Sequence, residues 1–437
     1  MVVELEIAKI VQGGDGIAQL DGMKVFVPFA APGERVRATI EVKKKDYAIA
    51  RIEKIIEPSP LRVEPSCPYF TVCGGCQLQH IDYKGQLVVK KLAVNETLQR
   101  VGRVFVPVRN ITGDTEAWRY RNKTQYPVAG NGGFRVGFFR RNTHQLVDAE
   151  SCLLHPCEFD EIRSRVLDAA KTVGETGYNE ARHTGNVRHL VLRRSRPDGE
   201  TLAMVVTRGE RLSRGLVDAL AGQPGVVGVV HNINPRPGNR VTGPKTSVVT
   251  GRGELLHTIL GKRLRTSATS FFQVNDAQAE ELCRKVLKQA CPEPGDTVVD
   301  LYSGVGMLSL VLADSAGHVL GIEMDATAVE DARHNAQVAG TSNVTFTCGD
   351  VDAAIASINR ADVVVLDPPR KGCNRQTLVR IAGIKPSRVI YVSCNPATLA
   401  RDLAILEHHG FAVQDVEPVD MFPQTFHVEV VASLRRL

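Results

Sequence analysis

The sequence predicts an α/β protein of three parts. These are a small N-terminal β-barrel over residues 1–57, a central, mostly-β domain over 58–265, and a C-terminal doubly wound domain over 266–437. Three observations carry this. Short Val- and Ile-rich stretches, broken by Gly13-Gly14-Asp15-Gly16, Asp21-Gly22 and Pro32-Gly33, crowd the first 57 residues in the manner of an OB-like barrel. From about 115 to 265, strand-like stretches separated by Gly and Pro clusters dominate. After about 266, strand-like and helix-like segments alternate, the pattern of a parallel sheet with crossover helices.

Taken in order, Lys43-Lys44-Lys45 in the first part is either a phosphate contact or a solvated strand tip. Pro58, Pro60 and Pro65 punctuate a linker. Leu87, Val88, Leu92 and Leu98 predict a helix over 84–101. Central strands are expected at 124–128, 134–139, 187–193, 202–207 and 226–231, with a helix near 157–173. The last domain reads as helix 275–290, strands 297–301, 319–323, 344–347, 362–367 and 389–393, and helices 326–339, 374–382 and 397–409. A final, edge-side strand is expected at 428–434.

The chain has 437 residues, 43% apolar and 23% charged, which excludes a mainly disordered or fibrous protein. No apolar run approaches the ~20 residues of a membrane span. The start, with Glu4 and Glu6 and no basic flank, suggests a cytoplasmic protein. Ten cysteines are too sparse for a disulfide scaffold, so clustered ones point to metal or chemistry. The net charge of +6 is uneven: residues 84–145 hold twelve Lys and Arg against three acids, and the remainder is slightly acidic. Aromatics interleave with that charge in Trp118-Arg119-Tyr120-Arg121, Phe134-Arg135 and Phe138-Phe139-Arg140-Arg141, as in proteins that grip folded single strands of RNA.

At the end of the first C-terminal strand stands Asp300-Leu301-Tyr302-Ser303-Gly304-Val305-Gly306. The third glycine of a dinucleotide fingerprint is replaced by Ser309, which counts against NAD and favours S-adenosylmethionine (SAM), a ligand without a pyrophosphate. Glu323 ends the second strand, where an acid bonds ribose hydroxyls. Asp350, after the third, is placed to accept from an adenine amino group or to cap a plain turn. The fourth strand ends in Asp367-Pro368-Pro369-Arg370-Lys371-Gly372 and the fifth in Ser393-Cys394-Asn395-Pro396. A cysteine at that edge is a candidate nucleophile. A SAM domain with a cysteine nucleophile narrows the chemistry to pyrimidine C5, a poor nucleophile until a thiolate adds at C6. A base must then remove the C5 proton. Glu429 is the best candidate, with His427 on the same strand face; the competing reading of Glu429 is a charged edge residue.

At this point the chain resembles the RNA uracil-5-methyltransferase family, class I SAM-dependent enzymes. The resemblance covers the whole chain. It rests on Ser270-Phe271-Phe272-Gln273-Val274-Asn275, on 367–372, on Val392 to Asp402 and on Val419 to Glu429. Residues 1–54 resemble the RNA-binding TRAM module, through Gly14-Asp15-Gly16-Ile17-Ala18, Val25-Phe26-Val27-Pro28 and Pro32-Gly33-Glu34. The resemblance implies Cys394 as nucleophile, Glu429 as proton acceptor, and SAM contacts from Gln273, Tyr302, Glu323, Asp367 and, more weakly, Asp350. It also implies a stacking role for Phe271 on a flipped uracil. Many members have Cys where Ser303 stands and a polar or small residue where Met307 stands.

Cys67, Cys73 and Cys76 supply three thiols on one loop, and Cys152 or Cys157 could close a four-sulfur site. Chemistry alone allows zinc or an iron–sulfur cluster. The resemblance implies a [4Fe-4S] cluster with Cys152 as fourth ligand. The expected activity is formation of 5-methyluridine in structured RNA, foremost 23S rRNA, because TRAM module and cysteine site resemble the ribosomal branch; tRNA is the alternative substrate. The rivals are a non-catalytic, redox-responsive RNA-binding protein with a SAM-like fold and a cytosine-5-methyltransferase.

Overall fold

The computed structural model describes residues 1–130 and 132–437. The chain folds into two compact units, one of residues 1–117, 284–292 and 355–437, the other of 118–283 and 293–354.

The first unit begins with a six-stranded sheet. Its spatial order is Val2–Glu6, Arg35–Lys43, Tyr47–Glu57, Met23–Pro28, Asp15–Leu20, Lys9–Ile10. Alternate residues point inward, and the interior is built of small side chains: Val25, Val27, Val36, Ala38, Ala48 and Ala50 are all fully buried. Glu34, also fully buried, closes the turn after Pro32-Gly33. Burial pushes its carboxyl up, but bonds from Arg62 and from the Ala31 N–H outweigh this and hold it below its ordinary range. This acid is therefore architecture.

The helix Tyr83–Thr97 follows, N-capped by Asp82, and passes into a π-helical turn at Leu98–Gly102. Its buried face is not the expected one. Val88 and Leu92 are 53% and 57% exposed, whereas Gln86 and Lys90 are buried. The reason is tertiary: Gln86 and Lys90 find polar partners more than 300 residues away, described below. In the same unit Val363–Leu366 pairs parallel with Arg388–Ser393. Glu429–Arg436 runs antiparallel beside the latter and Phe411–Val419 lies outside it. The strand expected at the edge is thus interior. The true outer strand carries Gln414, Asp415, Glu417 and Pro418 and a bulge between Val413 and Asp415, which mask its pattern.

The second unit holds a six-stranded mixed sheet in the order Lys245–Gly251, Val226–Ile233, Glu200–Thr207, Val187–Ser195, Lys123–Ala129, Arg135–Val136. Leu190, Leu192, Ala203 and Val205 pack on one face with Phe159, Ile162 and Val166 of helix Cys157–Thr172 and Leu216 and Leu220 of helix Arg214–Ala221. Val191, Met204 and Val206 fill the opposite face with Leu255 and Ala268. The single strand expected at 134–139 is broken at Gly137. A Cβ there would lie 2.1 Å from the Val147 carbonyl, so the chain turns off into the hairpin Phe138–Phe139/Leu146–Val147. Lys245–Gly251 and the hairpin Glu254–Ile259/Lys262–Ser267 were not legible as strands; the former is exposed along its whole length and lacks an apolar face. Three parallel strands, Thr297–Leu301, His318–Glu323 and Val344–Cys348, alternate with helices Met307–Leu312 and Ala326–Val338, as expected of a doubly wound domain. Among the described residues no helix is long and apolar enough to cross a membrane.

Candidate active site

In the first unit, strand Arg388–Ser393 delivers Cys394 to the start of helix Pro396–His408. Asn395 is the N-cap, its side-chain oxygen accepting from the Ala397 N–H, and Pro396 opens the helix with the fixed φ that position favours. The same Asn395 donates its amide to the Arg370 carbonyl at 3.0 Å. Arg401 donates to the carbonyls of Lys371 and Cys373, and Asp402 accepts from the Cys373 N–H and the Tyr391 hydroxyl. Gly372 makes this possible: at φ 73°, a Cβ would sit 2.6 Å from both Arg401 and Asp402. The loop after Asp367 and the helix after Cys394 are therefore one rigid piece.

Cys394, Asp367 and Glu429 feel one another's charge. Burial, then the Glu429 carboxylate, push the Cys394 thiol up to about 11, against the pull of Arg370. Burial lifts Asp367 to about 7. Glu429, only 4% exposed, is raised well above the ordinary carboxylate range by burial and by Asp367, with Arg370 opposing. It is not a solvated edge residue. Arg370 reaches the His427 ring at 3.4 Å, and His427 stacks obliquely on Phe426 at 4.0 Å between centroids. Around Cys394 also stands a group with no signal in the sequence. Gln12, in the turn after strand Lys9–Ile10, donates to Asn395 at 3.2 Å, and Gly14 beside it lies so close to Gln77 that a Cβ would clash.

The loop carrying Glu429 is clamped from behind. Lys90 donates to Asp420 at 2.5 Å and to the Phe422 carbonyl at 3.1 Å, both ion-pair partners being buried. Gln86 gives its amide to the Gln424 side chain and accepts the Gln424 N–H. The N–H groups of Gln77 and Leu78, immediately after Cys76, both reach the Gln424 carbonyl.

In the second unit, Tyr302, Glu323 and Asp350 sit at the carboxyl ends of three adjacent parallel strands. Tyr302 takes φ 67°, rare for a non-glycine residue, and Gly304 and Gly306 follow at 55° and 85°. Each oxygen of Glu323 is aimed by a backbone donor, Gly304 N–H at 3.1 Å and Asp325 N–H at 2.8 Å. This open turn with a fixed acid and no third glycine fits a ribose-bearing ligand without a pyrophosphate. Asp350 is exposed, and one of its oxygens accepts from the Ala353 N–H. Gln273 is buried, its carbonyl held by Asn122 at 2.9 Å. Phe271, beside it, is 66% exposed, while Phe272 turns inward onto His257. The segment is anchored by Asp331, which accepts from the Ser267 N–H and from the hydroxyls of Ser267 and Ser270, and by buried Arg193, which donates to the carbonyls of Ser267, Ala268 and Ser270.

Cys67, Cys73 and Cys76 form no disulfide and are partly exposed. The Gly75 N–H points at the Cys73 sulfur at 3.4 Å, and burial together with the charge of Cys67 raises the Cys73 thiol. The donors are of the right soft type for iron or zinc. Among the described residues, however, no three His, Cys, Asp or Glu side chains are gathered as a metal-holding set. Cys152 belongs to the second unit, where its N–H reaches Asp160. Cys157 is exposed.

The family model described as tRNA (uracil-5-)-methyltransferase matches residues 258–437, and that of the TRAM domain of tRNA (uracil(54)-C(5))-methyltransferase matches residues 3–61. The chain is 43% identical to an uncharacterized RNA methyltransferase of Halalkalibacterium halodurans over 99% of its own length and 96% of the relative's. It is 40% identical to one of Gloeobacter violaceus over 99% and 96%. Among solved structures it is similar to a Pyrococcus abyssi tRNA (uracil-54, C5)-methyltransferase in complex with S-adenosyl-L-homocysteine, with a TM-score of 0.79 and 27% identity, covering 99% of this chain and all of that one.

Proposed function

Since the chain belongs to the RNA (uracil-5-)-methyltransferases that carry an N-terminal TRAM domain, we propose that Cys394 and Glu429 carry out methylation at C5 of a uridine in structured RNA. The observation that supports this most is the group of half-buried Cys394 and Asp367 with buried Glu429, whose acidities are strongly displaced. Cys394 gives its thiol proton to water and adds as the thiolate to C6, and the π electron pair of the C5–C6 bond moves to C5. Bound SAM supplies the methyl group that C5 takes up. Glu429 then accepts the C5 proton, the C6–sulfur bond breaks, and its electron pair returns to Cys394. A carboxyl already raised in pKa is suited to keep that proton. Arg370, which opposes the rise in both groups, offers a positive charge near the developing enolate. Gln273, Tyr302, Glu323 and Asp367 are the residues that would hold SAM, with Asp350 at the periphery, and Phe271 is free to stack on the flipped base.

Cys394→Ala is expected to abolish tritium release from 5-labelled uridine. Glu429→Gln is expected to trap a covalent enzyme–RNA adduct visible by denaturing gel electrophoresis. Methylation by Cys394→Ala would sink the scheme.

Ribosomal RNA, acted on in the cytoplasm, is the substrate we take first, on the strength of the four cysteines. The TRAM module does not choose between RNAs, since the matching TRAM model is itself described from a tRNA enzyme. The P. abyssi likeness favours tRNA as the second reading. Mapping 5-methyluridine in 23S rRNA and in tRNA from a deletion strain separates them. Cys67, Cys73, Cys76 and Cys152 are proposed as ligands of a [4Fe-4S] cluster, with zinc as the alternative. Anaerobically purified protein should then carry iron and acid-labile sulfide and absorb broadly in the visible. Colourless protein with stoichiometric zinc would reassign the site.

A further inference from the structure

A cavity on the central sheet shares no lining residue with the groups described above. It lies on the sheet face opposite helices Cys157–Thr172 and Arg214–Ala221 and encloses about 370 Å³, within the range of small-ligand pockets. Gln125 and Pro127 of one strand and His189 of the next contribute to it. Two flat platforms stand in its lining. Phe139 and His144 are stacked, 5.1 Å between centroids and 12° from parallel, and His144 is held by Glu180 at 2.5 Å. Tyr178 lies under the Arg188 guanidinium at 4.5 Å, and its hydroxyl pairs with His183 at 2.6 Å. Arg188 is itself fixed by the carbonyls of Asn234, Arg236 and Gly238. Both platforms are thus set before any ligand arrives.

Two polar atoms in the lining are left over, Arg188 Nε and His189 Nδ1. His189 Nδ1 is shut off from solvent and has no hydrogen-bond partner, a condition that costs free energy unless something serves it. Burial and the nearby Arg188 hold this imidazole down at about 4, so it is neutral at physiological pH. The chain neighbours of the lining are cationic and exposed: Arg140, Arg182, Arg236 and Arg240. Pinned rings, a guanidinium face, an unserved ring nitrogen and surrounding arginines match a stacked base with its phosphates.

We propose that this cavity receives one unstacked nucleobase of the RNA substrate, other than the base that is methylated. The proposal rests on RNA being the substrate, as above. Two full-length variants test it: Phe139→Ala removes a platform, and Gln125→Trp fills the floor from an exposed strand position. The probes are undermethylated 23S rRNA and tRNA purified from a strain lacking the protein, and the same RNAs carrying 6-thioguanosine or 4-thiouridine. Each variant is expected to bind the methylated RNA about tenfold more weakly, with KM for RNA raised, kcat within about twofold and SAM affinity unchanged. Photocrosslinks should join residues 139–144 to a nucleotide other than the methylated uridine. Should Phe139→Ala fail to fold, as judged by circular dichroism, Gln125→Trp and the crosslink decide alone. Wild-type RNA affinity in the folded variants, or a crosslink to the methylated uridine itself, overturns the proposal. If the wild-type protein methylates neither RNA, the reading of its function fails instead.

Discussion

Burial first, and then acidic neighbours, push the Cys394 thiol up to about 11 and raise the Glu429 carboxyl well above the ordinary carboxylate range. On the order of one Cys394 thiol in a thousand is then ionised at pH 8. The direction of each neighbour's influence gives a prediction. Alkylation of the Cys394 peptide by iodoacetamide, followed by mass spectrometry, should rise with pH towards a midpoint near 11. Glu429→Gln removes a negative neighbour and should lower that midpoint; Arg370→Met removes a positive one and should raise it. A wild-type midpoint at the ordinary thiol value of about 8.5 would contradict this account. Both residues proposed to react stand in motifs that can be read in the sequence. Their altered acidity was not, because it arises first from burial and then from acidic neighbours that only the fold brings near, Glu429 for Cys394 and Asp367 for Glu429.

The helix Tyr83–Thr97 and the loop 420–428 form a clamp whose centre is the buried pair Lys90–Asp420. Burial pulls the Lys90 ammonium down and Asp420 pulls it back up. Asp420→Ala would strand the ammonium in the interior and should cost about 3–5 kcal/mol, whereas Lys90→Met with Asp420→Leu should recover most of it. Urea denaturation of the single and double variants measures both, and equal losses would refute the pairing argument. This clamp also explains where reading the sequence fell short. The apolar stripe Val88–Leu92 suggested the buried face, yet that stripe is exposed and the polar pair Gln86 and Lys90 is inside. Hydrophobic periodicity cannot anticipate a polar face matched to Asp420 and Gln424. The parallel strands and their crossover helices, by contrast, were readable because each buries an apolar run bounded by turns. The strand Lys245–Gly251, exposed throughout, offered no such signal.

Across the whole molecule, charge is concentrated in residues 84–145, but its twelve cations do not share one role. Lys90 is sealed against Asp420, and Arg109 pairs with Asp415. Lys123 is lowered to about 7 by burial and by Arg193. Arg119 and Arg140 are exposed, and Arg121 and Arg141 partly so. Tyr120 and Tyr126, which alternate with this charge, are core residues. Charge reversal at Arg119, Arg121, Arg140 or Arg141 should therefore weaken RNA binding and reduce its logarithmic salt slope by about one each, with SAM affinity intact. Unchanged RNA affinity in all four would make the excess a solvated face.

The clamp has a temporal side. Lys90 and Asp420 are separated by 330 residues, Gln86 and Gln424 by 338. During synthesis the N-terminal sheet can close on its own interior, but the helix behind it must wait for nearly the entire remaining chain before its buried amide and ammonium meet their partners. Until then Gln86 and Lys90 have no partners with which to be buried. Contacts of this separation form slowly, since a long loop must close before they contribute. Emergence of residues 420–424 from the ribosome is thus the event that can close this clamp, and nascent chains stalled short of Asp420 should be prime clients of chaperones.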